Sequence, residues 1–240
     1  MGLRINDKDR RMKRSKNYLS IAEKVQTGKE YPLVEAIKLL QENGKFKLDP
    51  TLEVHMNLGV DPRHSDQVVR GNVVLPHGTG RTVRVLVFAK GELEKAATNA
   101  GADHVGAEEL VQKISDGWLD FDAVVATPDM MPLVGRVARV LGPRGLMPSP
   151  KAGTVTVNVA QIVKELKAGK ISYRVDKGAN VHAPVGKMSF SLEQLQQNAS
   201  TLIDSVLKAK PATAKGVYVK SITLAGTMTP GVRIDRAAFK

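Results

Sequence analysis

The alternation of apolar and polar residues changes character twice along the chain. Between Thr79 and Gly169, short β-branched runs alternate with segments of helical periodicity. In order, these are the strand "RTVRVLVFA", the helices "GELEKAATNAGA" and "EELVQKISDGW", the strand "FDAVVATP", the helix "MPLVGRVARVLG", the β-rich "GTVTVN" and the helix "VAQIVKELKAG". Strands that alternate with helices need crossover connections. The segment therefore predicts a mainly parallel sheet that helices cover on both faces.

The segments on either side follow a different pattern. On the amino side, the helix "PLVEAIKLLQENG" precedes the strand "TLEVHMNLGV", in which polar and apolar residues alternate. On the carboxyl side lie the strand "KISYRV", the long helix "SLEQLQQNASTLIDSVLKAK" and the strand "GVYVKSITLAG". Strands with one polar face and helices on the other face predict an α+β layer with an antiparallel or mixed sheet.

Neither flank has enough elements to close a hydrophobic core alone. We therefore predict that residues 1–78 and 170–240 fold together as one discontinuous α+β domain, the composite domain, and that residues 79–169 form an inserted α/β domain. The two connections, "LPHGTG" and "LKAGK", both carry glycine and make a candidate two-chain hinge. The candidate hinge residues are Gly78, Gly80 and Gly169.

The positive charge of the chain is concentrated in the predicted composite domain. The 240 residues carry a net charge of +12, and the sequence pI is about 9.9. Residues 1–78 hold 14 Lys and Arg against 10 Asp and Glu, and residues 170–240 hold 11 against 4, so the composite domain carries +11. The inserted domain carries only +1. This asymmetry favours a nucleic-acid partner over a merely solvated basic surface, although the tail "KDRRMKRSK" also fits a solubilising arm.

Composition narrows the class of protein further. The chain has no cysteine, which excludes disulfides, zinc ribbons, iron–sulfur clusters and thiol catalysis, and its five histidines lack the spacing of a metal site. No apolar run approaches the ~20 residues of a membrane helix, and the amino terminus lacks a secretory core, so we expect a cytoplasmic protein with no membrane partner.

The nucleic acid that these residues fit is structured RNA. The chain has only ten aromatic residues, no glycine-aromatic motif that stacks unpaired bases, and no helix-turn-helix or zinc-finger signature. The protein would then recognise the shape of the RNA, its phosphates and its 2′-hydroxyls. The stretch "KSITLAGTMTPGVR" offers suitable side chains, although Ser and Thr also occur in strands for their β propensity alone. Its candidates are Lys220, Ser221, Thr223, Thr227, Thr229 and Arg233.

An enzyme is the weaker interpretation. "GTGRTV" fails as a dinucleotide fingerprint, and "VLGPRGLMPSPKAGTV" lacks the pattern of a phosphate-binding loop. Asp120, Asp122 and Asp129 flank one predicted strand and offer carboxylates, but such residues more often cap turns and helices, and Asp129 suits the N-cap of the helix that follows. We predict no enzymatic activity and no cofactor. A nucleotide-binding enzyme and a basic scaffold for acidic partners stay open as alternatives.

The segment "ATPDMMPLVGRVARVLGPRGLMPSPKAGTV" closely resembles the signature of the large-subunit ribosomal protein one family. Further segments resemble that family in the same order, from about Tyr31 to Arg233. They are "LGVDPRHSDQVVRGNVVLPHGTG", "AGADHVG", "KISYRVDKGANVHAPVGKMSF" and "GVYVKSITLAGTM". The resemblance implies the discontinuous α+β domain, an inserted Rossmann-like domain and a two-chain hinge.

The resemblance also implies a function. Family members bind a structured region of large-subunit ribosomal RNA, form the mobile stalk near the exit site of the ribosome, and assist the release of deacylated exit-site tRNA. Bacterial members also repress translation of their own messenger RNA. Ribosomal RNA, tRNA, messenger RNA and the ribosome are thus the implied partners of a cytoplasmic, ribosome-bound protein.

The family's RNA contacts carry over to three places in the composite domain. They are Lys47, Thr51 and Glu53 on the first sheet strand, Tyr173, Arg174 and Lys177 on the re-entry strand, and Ser221, Thr227 and Met228 on the last strand. Where the family often has phenylalanine, this chain has Leu48, unless Lys45 and Phe46 fill that place through a short insertion. Where the family usually has glycine, which can take φ above zero, this chain has Thr229. We interpret "VLGPRGLMPSPKAGTV" as a rigid loop near the hinge that meets RNA or the composite domain.

Overall fold

The computed structural model describes residues 14–26, 28–43 and 48–239. Within these residues the chain forms helices and strands in a mixed α/β fold. The helices are α1 (Lys16–Ala22), α2 (Leu33–Asn43), α3 (Glu92–Asn99), α4 (Glu108–Ser115), α5 (Met131–Arg136), α6 (Ala138–Leu141), α7 (Val159–Lys167) and α8 (Leu192–Lys208). The strands are β1 (Thr51–Leu58), β2 (Arg70–Val74), β3 (Val85–Phe88), β4 (His104–Gly106), β5 (Ala123–Ala126), β6 (Lys170–Arg174), β7 (Asn180–Lys187), β8 (Val219–Gly226) and β9 (Val232–Ile234).

The largest sheet draws its strands from both ends of the chain. Its order is β7-β1-β8-β9, and every neighbouring pair is antiparallel. Along β1, buried and partly exposed residues alternate strictly, because successive side chains point to opposite faces of a strand. The buried set packs against α2 and α8 in one hydrophobic cluster that contains residues from both flanks. The domain boundaries themselves stay a prediction.

Helix α8 fixes this sheet to the first connection. The helix begins with a capping box, in which the Ser191 side chain accepts from the Gln194 backbone and the Gln194 side chain accepts from the Ser191 backbone. The buried Asn198 donates to the carbonyls of Gly78 (2.9 Å) and Val185 (2.7 Å), and its oxygen accepts from the backbone N–H of His77 (3.1 Å). The buried Asn198 side-chain amide thus anchors the chain just after strand β2.

Strands β2 and β6 form a separate antiparallel ribbon. Tyr173 of β6 lies opposite Gly71 of β2, and a Cβ at Gly71 would come within 2.5 Å of the Tyr173 hydroxyl oxygen. A side chain at position 71 would therefore displace the tyrosine ring. Glycine at this position lets Tyr173 cross beneath β2 and pack into the cluster that α8 covers.

The three-stranded sheet is parallel, in the order β4-β3-β5, as the strand-helix alternation predicts. All four residues of β3 are fully buried. Leu86 and Phe88 belong to a cluster with α4 and α5, whereas Val85 and Val87 belong to a cluster with α7. Because helices cover both faces, β3 is a continuous apolar run rather than an alternating one.

Three local predictions are wrong. The single helix expected over "MPLVGRVARVLG" is two helices, α5 and α6, because the backbone leaves the helical conformation at Val137 (φ −99°, ψ 9°). Gly135, two residues earlier, has low helix propensity. The β-rich "GTVTVN" contributes a single parallel bridge between Val155 and Ala126 rather than a strand. Asp129 is not the N-cap of α5, because a 3-10 turn over Pro128–Met130 precedes that helix and makes Met130 its N-cap.

Candidate nucleic-acid interface

The antiparallel sheet has one face that none of the helices in residues 14–26, 28–43 and 48–239 covers, which we call the open face. Residues that are cross-strand partners in an antiparallel sheet project from the same side. On β1, Glu53 lies between Pro184 and Ala225, His55 between His182 and Thr223, and Asn57 between Asn180 and Ser221. Arg233 of β9 continues the row from Thr223. The open face therefore carries polar groups on all four strands, and it consists of Thr51, Glu53, His55, Asn57, Asn180, His182, Pro184, Ser221, Thr223, Ala225 and Arg233.

Thr51 and Thr227 are hydrogen-bonded to one another at one end of this face, although 176 residues separate them. The Thr227 N–H donates to the Thr51 carbonyl (3.1 Å), and the Thr51 N–H donates to the Thr227 hydroxyl (3.2 Å). Lys187 Nζ donates to the Thr51 hydroxyl (3.1 Å) and to the Asp49 carbonyl (3.2 Å). We call this place the threonine end. Its hydroxyls and its ammonium group are held in fixed positions.

The turn after β8 places Met228 beside the threonine end. Met228 has φ of +69°, in the left-handed region, and its side chain is 72% exposed. Thr229 does not occupy the left-handed position; its hydroxyl accepts from the Gly226 N–H (2.8 Å), and its N–H donates to the Gly226 carbonyl (3.0 Å). Thr229, where the resemblance led us to expect glycine, therefore closes the turn by hydrogen bonds.

The remaining candidates lie at different places. Glu53 is half-exposed on the open face, with its carboxylate 3.9 Å from His55 Nε2, and Ser221 lies toward the opposite end of β8 from Thr227. Arg174 and Lys177 are exposed at the outer end of the β2–β6 ribbon. Lys47 lies outside the described residues.

Tyr173 differs from the other candidates because it is buried, with 4% of its surface exposed. Its hydroxyl lies 3.0 Å from the Ser205 carbonyl and 2.9 Å from the Ser205 hydroxyl, both on α8. Its polar group is therefore engaged inside the protein. In this structure Tyr173 holds the ribbon against α8 and presents no group to a ligand.

Two cross-strand polar pairs on the open face carry no signal in the sequence. His55 Nδ1 and His182 Nδ1 lie 2.7 Å apart, so one ring donates a hydrogen bond to the other. Asn57 Nδ2 donates a hydrogen bond to Asn180 Oδ1 at 2.7 Å. Burial lowers the pKa of His55, and His182 lowers it further, whereas Glu53 acts in the opposite direction. Only the register of β1 against β7 brings these side chains together.

A cleft of about 450 Å³ separates the threonine end from the parallel-sheet region. Thr51, Glu53 and Lys187 line one side, and Arg81, Asp122 and the loop at residues 145–154 line the other. Asp122 accepts from the Arg84 side chain (3.0 Å), which lowers the pKa of that carboxyl, and Asp120 also pairs with Arg84. Two of the three carboxylates that offered an enzymatic alternative, Asp120 and Asp122, are thus bound in ion pairs.

The glycine- and proline-rich loop faces the β2–β6 ribbon across this cleft. Its 3-10 turn at Pro150–Ala152 contacts β2, and a Cβ at Gly153 would lie 3.6 Å from Lys170 Nζ. The loop therefore contacts the β2–β6 ribbon, and its contact with RNA stays a prediction.

The two connections touch where the candidate hinge glycines lie. Gly78, Gly80 and Gly169 have φ of +66°, +70° and +102°. A Cβ at Gly169 would come within 2.5 Å of Gly78 Cα, and one at Gly80 within 2.9 Å of the Lys187 and Phe190 side chains. Each position combines left-handed backbone with a close approach, so glycine is required there.

The described residues contain neither a cluster of metal ligands nor a membrane-spanning helix. No group of three or more His, Asp and Glu side chains there is arranged to hold a metal ion. No helix in residues 14–26, 28–43 or 48–239 is long and apolar enough to span a membrane.

A mixed α/β fold with a parallel sheet, an antiparallel sheet with a polar face that no described helix covers, and a net charge of +12 are together typical of a nucleic-acid-binding protein. A sequence model of the Ribosomal protein L1p/L10e family matches residues 39–230. The chain belongs to this family. It is therefore a large-subunit ribosomal protein that binds ribosomal RNA, and its family is one of structural components of the ribosome.

Proposed function

We propose that the open face and its threonine end bind a structured segment of large-subunit ribosomal RNA. The observation that carries this proposal is the mutual hydrogen bonding of Thr51 and Thr227 beside the exposed Met228. Rigid hydroxyls and amides suit the wide, shallow minor groove of an RNA helix, which displays 2′-hydroxyls and phosphates. A pre-formed site also loses little conformational entropy on binding.

The candidate residues then have separate roles. Thr51, Ser221 and Thr227 exchange hydrogen bonds with sugars and phosphates, and Glu53 accepts from 2′-hydroxyls or base amino groups. Met228 packs its apolar side chain against a sugar or base. Arg174, Lys177 and Lys47 neutralise phosphates. Tyr173 acts indirectly, because its hydrogen bonds to Ser205 hold the strand that carries Arg174.

We assign the RNA site to the composite domain, residues 1–78 and 170–240, and a mobile role to the inserted domain, residues 79–169. Left-handed glycines in two touching connections favour a hinge at Gly78, Gly80 and Gly169. Rotation there would widen or narrow the cleft that the threonine end lines. The protein would then form the mobile stalk near the exit site and assist release of deacylated tRNA.

Repression of the protein's own messenger RNA follows from the same chemistry. Contacts to phosphates and 2′-hydroxyls recognise the shape of an RNA, so a messenger segment that folds like the ribosomal site presents the same groups. Binding of that segment would block translation when free protein exceeds free ribosomal RNA.

The test is the substitution Thr227→Val, with affinity for a folded ribosomal RNA fragment measured by fluorescence anisotropy. Valine keeps the shape but removes the hydroxyl, so we expect affinity to fall about tenfold or more, since an interface group left unpaired costs about 1–3 kcal/mol. The slope of log affinity against log salt should not change, because no charge is lost. Thr98→Val, at an exposed threonine of α3, is the matched control.

Two outcomes would contradict the proposal. Equal affinity of the unmodified protein for folded ribosomal RNA and for heparin would favour a basic scaffold. Equal loss of affinity in Thr227→Val and Thr98→Val would show that the effect does not come from the threonine end.

A further inference from the structure

Two arginines face each other across the β2–β6 ribbon. Arg70 and Arg174 are direct cross-strand partners, and both are exposed. Like charges at directly opposed positions of an antiparallel pair repel one another and destabilise the pairing. Neither guanidinium takes part in any ion pair recorded among the described residues. The free protein therefore holds an unfavourable charge pair that an anion between the two side chains would relieve.

Two more cations lie at the same end of the ribbon. Arg63 and Lys177 line a shallow pocket together with Arg174, and both are exposed. We call Arg63, Arg70, Arg174 and Lys177 the arginine cluster. Against the one carboxylate that lines this pocket, Asp176, the four cations leave an excess of positive charge, which favours a polyanion over a single carboxylate.

Two carboxylates near the cluster, those of Asp61 and Asp176, accept hydrogen bonds from groups outside it or from backbone. Asp176 lines the same pocket, but its Oδ1 accepts from the backbone N–H groups of Gly178 (2.8 Å) and Asn180 (2.7 Å), and its Oδ2 lies 3.4 Å from His182 Nε2. Asp61 Oδ1 accepts from the Arg63 backbone N–H (3.0 Å) rather than from its guanidinium. Both acids shape turns, and neither forms an ion pair with a side chain of the arginine cluster.

The cluster adjoins the open face at the end away from the threonine end. The Asp176 turn joins β6 directly to β7, and Asn180 at the start of β7 lies opposite Asn57, which in turn lies opposite Ser221. From Thr51 to Asn57 the strand rises by about 20 Å, at about 3.3 Å per residue. A ligand that contacts both ends must therefore be extended over at least that distance, as the backbone of a folded RNA is.

We propose that the arginine cluster is a second RNA contact, which binds phosphates about 20 Å from the threonine end along the strands. Arginine suits this role because its planar fork of N–H donors pairs with phosphate oxygens in two parallel hydrogen bonds. The inference rests on the proposed function for the identity of the polyanion. It adds Arg63 and Arg70 to the RNA-binding residues and explains why Arg70 and Arg174 lie opposite each other.

The test is Arg70→Gln, with RNA affinity measured between about 50 and 200 mM salt, a range over which phosphate contacts dominate the salt dependence. We expect the slope of log affinity against log salt to become shallower by about one unit, because one phosphate contact is lost. The melting temperature of the free protein should stay the same or rise, because repulsion of Arg174 is removed. A residue of a ligand site should lower RNA affinity when it is replaced without lowering the melting temperature of the free protein. A residue with a purely structural role should lower both.

Two further variants sharpen the result. Arg70→Lys keeps the charge and loses the fork, so we expect the original slope with weaker affinity. Arg136→Gln removes the same charge from an exposed site on α5, and we expect it to leave the slope unchanged. If Arg136→Gln flattens the slope equally, net charge alone explains the effect and the cluster is not a site.

The outcomes also separate this inference from the proposed function. Unchanged slopes in Arg63→Gln and Arg70→Gln, with weakened binding in Thr227→Val, would overturn the cluster and leave the proposed RNA site intact. A melting temperature that inorganic phosphate raises in the unmodified protein but not in Arg70→Gln, with RNA slopes unchanged, would make the cluster a free-anion site and also overturn the inference. No preference of the unmodified protein for folded RNA over heparin would instead remove the proposed function itself.

Discussion

The parallel sheet and the four-stranded antiparallel sheet differ in what covers them. In the parallel sheet, β3 is buried at every residue, because helices pack on both faces. In the antiparallel sheet, β1 alternates between the core and the open face. Charge follows the same division, with +1 in residues 79–169 and +11 in the remaining residues. A sheet covered on both sides contributes stability, whereas a sheet with one free face can also present groups to a partner.

The strongest test of this comparison exchanges a residue in each sheet. Phe88→Ala removes a fully buried ring from β3, and we expect the free energy of unfolding to fall by about 3–5 kcal/mol. Thr223→Ala on the open face should change stability by no more than about 0.5 kcal/mol. Urea denaturation measures both values. Comparable losses in the two variants would show that the open face is as important to stability as the covered sheet.

A second test concerns Tyr173, which resemblance places at the RNA and which the structure buries. Tyr173→Phe removes only the hydroxyl that bonds to Ser205, so we expect a loss of about 1 kcal/mol in unfolding free energy. RNA affinity of the folded protein should hardly change. A large loss of affinity at unchanged stability would mean that Tyr173 reaches the RNA in a different conformation.

The smallest expected effect is a dependence of stability on pH at the histidine pair. Burial, the largest cause, lowers the pKa of folded His55 below the reference value of 6.5, so the unfolded chain takes up the proton first as the pH falls. The stability that neutral His55 contributes is therefore present above pH 6.5 and lost as the pH falls below that value. Melting temperatures at pH 8 and pH 5.5 measure the loss.

His55→Asn is the control for that measurement. The variant lacks the titrating ring and should lose less stability than the unmodified protein between the two pH values. An equal loss in both proteins would assign the pH dependence to other groups.

Helix α8 and strand β1 could be predicted from the sequence, whereas the eight-residue strand β7 and the three-residue strands could not. The periodicities of "SLEQLQQNASTLIDSVLKAK" and "TLEVHMNLGV" correspond to α8 and β1, because many residues repeat the same pattern. Strands β4 and β9 contain three residues each, too few to establish a period of two. The break at Val137 depends on one helical turn, where propensity differences are small.

The residues of the candidate RNA site could also be predicted only in part from the sequence. Ser221, Thr223 and Thr227 lie in one stretch whose polar composition is visible, and the family resemblance added Thr51 and Glu53. The pairing of His55 with His182 and of Arg70 with Arg174 had no local signal, since more than one hundred residues separate the members of each pair. Thr229 also closes its turn by a hydrogen bond that no propensity predicts.

The sequence by itself determined the kinds of element, the concentration of positive charge in the two flanks and the glycines at the connections. These are properties of neighbouring residues or of composition. Local steric preferences and solvation therefore determine them without any tertiary contact. Only the tertiary structure decided which side chains meet on the open face, that Tyr173 points inward and that two arginines oppose each other. Strand register sets all three, and register is determined by packing over the whole core rather than by any one segment.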